Sequence, residues 1–130
     1  MLEGICVNYV GKIDNNIFEK EFGKLQTCDV ILTYERLKHI KQQHPIDYDI
    51  FEKYCSIILE HPDIILKDNK NENTVFIIKS INDTNMNIII KLAVFNDEKH
   101  PKNSIMTAYR IRTKNVKKLE KRNKMLYKSE

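Results

Sequence analysis

Breaking an RNA strand without a metal takes a base for the 2′-hydroxyl proton, cations for the charge growing on phosphorus, and an acid for the departing 5′-oxygen. His, Lys or Arg, and Tyr or Thr can fill those roles. The chain carries His39 and His44 with Arg36 along one short stretch, Lys91 inside an apolar run, and Thr107, Tyr109 and Arg110 in the run NSIMTAYRIR, Asn103–Arg112. On a two-residue period that run sorts Ile105, Thr107, Tyr109 and Ile111 to one face and Met106, Ala108, Arg110 and Arg112 to the other. Each face mixes core residues with groups that bind anions or move protons. Neither an HExxH pair nor a carboxylate cluster suggests a metal, and no cofactor is expected.

Each of these residues also fits a plainer role. His44 before Pro45 suits a helix end bonded to a carbonyl, and His39 beside Arg36 suits a solvated helix face. Tyr109 suits a packed ring with a bonded hydroxyl, and Lys91 an aliphatic stem whose head snorkels to water. The functional case rests on their convergence, which the intervening elements must produce.

Thr33 sits at an N-cap position before a helix from Tyr34 to about His44, which Pro45 ends. Tyr34, Leu37, Ile40, Lys41 and His44 share its expected core side, and Arg36, His39 and Gln43 the other. A second helix is expected from Asp49, with Asp49 and Glu52 at capping-box spacing, to His61-Pro62. Four strands follow, Ile64–Lys67, Thr74–Ile81, Ile88–Phe95 and Asn103–Arg112. Short polar turns at Asp68–Asn73 and Asn82–Asn87 leave no room for crossovers, so the expected sheet is an antiparallel meander. Residues 1–28 are hard to read: Ile5–Val10 and Ile17–Leu25 look extended around Asp14-Asn15-Asn16, although Gly11 and Gly23 argue against both. Residues 113–130 read as a basic tail with thin apolar spacing at Val116, Leu119 and Met125-Leu126, at best a solvated helix lightly docked on the sheet.

At 130 residues the chain fits a single domain, 1–130, able to bury a core without staples. Cys6, Cys28 and Cys55 have neither CxxC spacing nor a ligand cluster and read as thiols of a reducing compartment. With no apolar run near membrane-spanning length and no signal-peptide pattern, a cytoplasmic protein without a membrane partner is expected. The net charge of +4 is divided unevenly: from Lys99 to Glu130 there are eleven Lys or Arg against two acids, so the rest of the chain is net negative. Such an end points to a polyanion, because each neutralised phosphate releases condensed counterions, and a solvated basic tail is the plain alternative.

The run LTYERLKHIKQQHP, the later HPDII, and NSIMTAYRIR followed by KMLYK resemble the phage-associated nucleases of the Barnase-EndoU-Colicin-RelE superfamily. The resemblance spans roughly Asp29 to Tyr127. It implies an α+β fold, BECR-like, in which two N-terminal helices pack on a four-stranded antiparallel sheet. His39 and His44 would correspond to the helix histidines and Thr107 to the signature threonine of the strand lining the cleft. Arg110 or Lys91 would supply the cation. With Tyr109 these are the candidate catalytic residues, and Arg36, Lys102, Arg112, Lys114 and Tyr127 the candidate substrate contacts. The implied activity is a metal-independent endoribonuclease, phage- or toxin-associated, whose products end in 2′,3′-cyclic phosphate. Its partners would be RNA, tRNA included, and an immunity or antitoxin protein, and delivery with a phage particle or as an effector is compatible. The alternatives are a nucleic-acid-binding protein without chemistry and a structural or interaction protein of a phage.

Overall fold

The computed structural model describes residues 7–130; Ile5 and Cys6 lie outside the described residues. Its elements are β1 Val7–Lys12, α1 Asn15–Phe22, β2 Asp29–Thr33, α2 Tyr34–Gln43, α3 Pro45–Glu60, β3 Ile64–Lys67, β4 Thr74–Ile81, β5 Thr84–Lys91, β6 Asn103–Ile111, α4 Thr113–Arg122 and β7 Lys124–Lys128. The strands form one sheet in the order β1-β2-β6-β5-β4-β3-β7. The class is α+β, but the expected two helices on a four-stranded antiparallel sheet are replaced by four helices and a seven-stranded mixed sheet. The meander β3-β4-β5-β6 is present at its centre.

Both chain ends are the reason for the difference. Asp14 does not form a turn but caps α1, its Oδ1 accepting from the Asn16 N–H at 3.0 Å. Gly11 lies in β1 because α3 packs against it: a Cβ there would meet Leu59 Cδ1 at 3.0 Å. β1 pairs antiparallel with β2, and β2 runs parallel to β6 through Val30–Asn103 and Ile31–Ser104. The basic end is no loose tail. α4 lays Val116 and Leu119 on Leu66, Phe76 and Ile78, and β7 pairs with β3 at the far edge. Burying Val116 and part of Leu119 stabilises by about 1.5–3 kcal/mol or less each, which seats a helix whose other positions are polar or charged.

Thr33 caps α2 as expected, its Oγ1 accepting from the Arg36 N–H at 3.2 Å. The second helix begins four residues earlier than Asp49, because Pro45 takes the first helical position, where its missing N–H costs nothing. His44 therefore closes α2 and opens α3 as one residue with φ −139° and ψ 61°. Asn82 and Asp83, both at positive φ, make a two-residue hairpin turn whose twist matches the strands, so β5 starts at Thr84 and not at Ile88.

The main core lies on the α2 and α3 side, joining Ile40, Phe51, Ile58 and Leu59 to Ile77, Ile88, Ile90 and Ala108. Cys55 belongs to it, and burial pushes its thiol up to about 12, as suits a packing residue. One buried polar residue fastens the two halves of the sheet. Asn103, fully buried, accepts from the Ala93 N–H at 2.8 Å and donates to the carbonyls of Thr27 and Asp29, both at 2.9 Å.

Asn103→Ala should lower the unfolding free energy by about 2–4 kcal/mol in chemical denaturation, since three buried backbone partners lose their bonds. Glu21 supports a second expectation. Hydrogen bonds from Lys124 on β7 and Lys67 on β3 hold its carboxyl at about 2, below the ordinary 4.5. A depressed carboxyl stabilises fully above its unfolded value and less as pH falls toward its folded one. Wild type should therefore lose stability from pH 4.5 down to about 2, and Glu21→Gln should be less stable at neutral pH and flatter across that window.

Candidate functional site

β2 covers β6 only at Asn103 and Ser104, so the remainder of that edge of β6 lacks a strand partner. Side chains from the α2–α3 elbow fill the place. The backbone N–H of Arg110 donates to Asp47 Oδ2 at 3.0 Å, its guanidinium Nε also bonds Asp47, and Arg36 Nη1 approaches the Met106 carbonyl at 3.5 Å. These contacts satisfy groups that an open strand edge would leave to water or to another chain.

The same elbow brings His44 to the strand. Its ring lies 5.4 Å from that of Tyr109, tilted by 41°, and its Nδ1 is 3.9 Å from Asp47 Oδ2. That separation is too long for a hydrogen bond but close enough for the carboxylate to attract an imidazolium. Asp47 is mostly enclosed, with 13% of its side chain exposed, whereas His44 keeps 34% open to solvent. Beside the group runs a cleft of about 540 Å³ lined by Asp47, Asp83, Asn85, Arg110, Arg112 and Thr113.

A bulge decides which side chains share a face. Ile90 pairs with Ile105 but Ile89 pairs with Thr107, so Met106 is an extra residue in β6. Strict alternation would carry Ile105, Thr107 and Tyr109 together. Instead Ile105 and Ala108 point into the main core, and Thr107 and Tyr109 share the opposite face with Asn87, Ile89 and Lys91 of β5. Lys91 and Thr107 thus come to one face, about 7 Å apart along the strands, and Lys91 lies roughly 13 Å along β5 from the level of Tyr109. Arg110 points to the other face and reaches the site only around the edge.

Two polar atoms on this face have no hydrogen-bond partner among the described residues. They are Thr107 Oγ1 and Asn87 Oδ1, both enclosed, and Asn87 as a whole is fully buried. Asn87 Nδ2 donates to the Tyr109 hydroxyl at 3.3 Å, which leaves the phenolic proton free to be given elsewhere. Asn87 and Asp47 are the residues that sequence reasoning missed. Asn87 fell within an assumed turn, and Asp47 before an assumed helix start.

The other candidates are spread more widely. His39 is exposed on α2 and makes no side-chain hydrogen bond among the described residues. Arg112 and Lys114 are exposed at the start of α4. Lys102 bonds the Tyr9 hydroxyl at 3.0 Å beside β1, and Tyr127 on β7 packs against the core four strand spacings, roughly 19 Å, from β6. Among the described residues no three His, Cys, Asp or Glu side chains gather as a metal site requires, and no helix is long and apolar enough to cross a membrane. Comparisons with family models, with curated proteins and with solved structures find no match for this chain.

Thr107→Val should fold with unchanged or raised stability, by up to about 1 kcal/mol in thermal or chemical unfolding. An enclosed hydroxyl without a partner costs free energy that a methyl of the same shape does not. Marked destabilisation would assign the hydroxyl a structural bond.

Proposed function

We propose that the chain is a metal-independent endoribonuclease working at the open edge of β6. The observation that carries this is the convergence of His44, Tyr109, Asp47, Arg110 and Arg36 at that edge, with Thr107 on the adjoining face. His44 takes the proton of a 2′-hydroxyl as that oxygen attacks the neighbouring phosphorus, with Asp47 opposite the positive charge that the imidazole gains. Tyr109, whose oxygen accepts from Asn87, supplies a proton to the departing 5′-oxygen. Thr107 donates to a phosphate oxygen. Arg36 keeps donors beyond its single long bond to Met106, and Arg110 lends charge from the Asp47 pair; together they stabilise the transition state more than the bound substrate. Lys91, further along the face, holds the strand rather than the reacting phosphate. His39 has no part in these steps.

The basic end keeps a second reading, a nucleic-acid-binding protein without chemistry. It is favoured by the row of exposed cations on α4, Lys114, Lys117, Lys118, Lys121 and Arg122. Cleavage of RNA by purified protein in EDTA separates the two. His44→Ala should lower the cleavage rate ~10²- to 10⁴-fold with little change in RNA affinity, and Thr107→Val should lose activity while folding normally. His39→Ala should stay near wild type. Products should end in 2′,3′-cyclic phosphate. Full activity in Thr107→Val, or activity abolished by EDTA and restored by magnesium, would reject the mechanism.

A further inference from the structure

α4 does not cover the whole of its face of the sheet. Val116 and Leu119 sit over Leu66, Phe76 and Ile78 on β3 and β4, and the β5–β6 part is left half-exposed. Ile89 and Ile111 pack against the same cluster there, Asn87 is buried between them, and the half-exposed polar side chains are Asn85 and Lys91 from β5 and Ser104, Thr107 and Tyr109 from β6, with no acid among them.

The helix beside this strip is turned in a definite way. Glu120 approaches Lys128 on β7 at 3.9 Å, so that flank of α4 faces the β7 edge. At 100° per residue, with Val116 and Leu119 down, the opposite flank carries Asn115, Lys118 and Arg122 and looks over the strip toward β6. Lys114 and Lys121 point straight away from the sheet. The strip is therefore bordered by cations on the α4 side, carries Lys91 at one end, and runs at the other to Tyr109 and His44.

We infer that this strip binds a single-stranded RNA segment, with its phosphates along Lys118, Arg122 and Lys91 and its bases on the sheet. Two uncovered strands make a floor roughly 10 Å across, which takes one strand laid flat but not a paired helix. Tyr109 offers a stacking surface, and the half-exposed Asn85 and Ser104 offer hydrogen bonds to base edges. The fate of the bound strand rests on the ribonuclease reading, but the binding does not. The proposal gives the site a substrate class, unpaired RNA, and a direction of approach.

The test measures binding alone. A fluorescein-labelled 2′-O-methyl oligouridine of about twelve nucleotides cannot be cut by 2′-hydroxyl attack, and its affinity is followed by anisotropy against salt beside a 2′-O-methyl duplex of the same length. The single strand should bind at least tenfold more tightly. Lys118→Gln with Arg122→Gln should flatten the slope of log K against log salt by about 1.4, Lys91→Gln by about 0.7, and Lys114→Gln with Lys121→Gln by less than half the first value. Equal effects of the two double variants would overturn the proposal in favour of a diffuse basic surface. So would equal binding of the duplex, or no binding at low salt, the last leaving α4 as a surface for protein. Intact binding in a protein that cleaves nothing would reject the nuclease reading and leave this one standing.

Discussion

The sheet depends on one buried amide. β2 and β6 are distant in sequence and meet over only two residue pairs, too short a ladder to hold a junction by itself. Asn103 supplies what the ladder lacks, with both polar atoms of its side chain engaged and the backbone at Ala93, Thr27 and Asp29 satisfied together. A buried side chain with all its bonds made specifies one arrangement, because any shift would leave several polar groups unpaired. The arrangement it specifies has β2 leaving β6 at once. Thr33 then turns the chain into α2, and α2 and the start of α3 lie along the strand edge that β2 abandons.

The site follows from that vacancy. Had β2 continued beside β6, the backbone groups of Met106 and Arg110 would be tied into the ladder, and Arg36 and Asp47 would have no reason to reach them. The chemistry is assembled where irregular pairing has to be compensated by side chains. Charge then divides the molecule by role: Glu21 locks Lys67 and Lys124 into structure at the β7 end and Glu120 approaches Lys128 of β7, whereas the cations of α4 have no such partner among the described residues.

What could be read from sequence was local. Thr33 as a cap, Pro45 as a helix stop and the apolar runs of β3 and β4 each act within a few residues, and the structure has them all. The misplaced parts depend on partners far along the chain. Gly11 looked like a strand breaker because the approach of α3 was invisible, and although Val116 and Leu119 were legible as docking positions, the pairing of β7 with the distant β3 was not. His44 was legible as a candidate from its residue type beside His39 and Arg36, whereas the elbow that brings it to β6 was not. Asn87 was not, since asparagine in a polar stretch suggests a turn until the hairpin is known to close at Asn82-Asp83. Lys91 looked like a charge in the middle of the sheet and is instead at the end of β5, where it is half-exposed.

The extra residue at Met106 makes β6 a strand with two reading frames. Up to Ile105 odd-numbered positions belong to the interior; beyond the bulge, even-numbered Ala108 does. Loss of Met106 alone would return β6 to regular pairing with Ile105, Thr107, Ala108 and Tyr109 on their present faces, whereas one further residue lost would exchange the two sets and send Tyr109 toward the core. The spacing between Ile105 and Thr107 can thus shorten by one residue without changing which side chains face the core. A single deletion is therefore tolerated at the bulge and not in the regular ladder on either side of it.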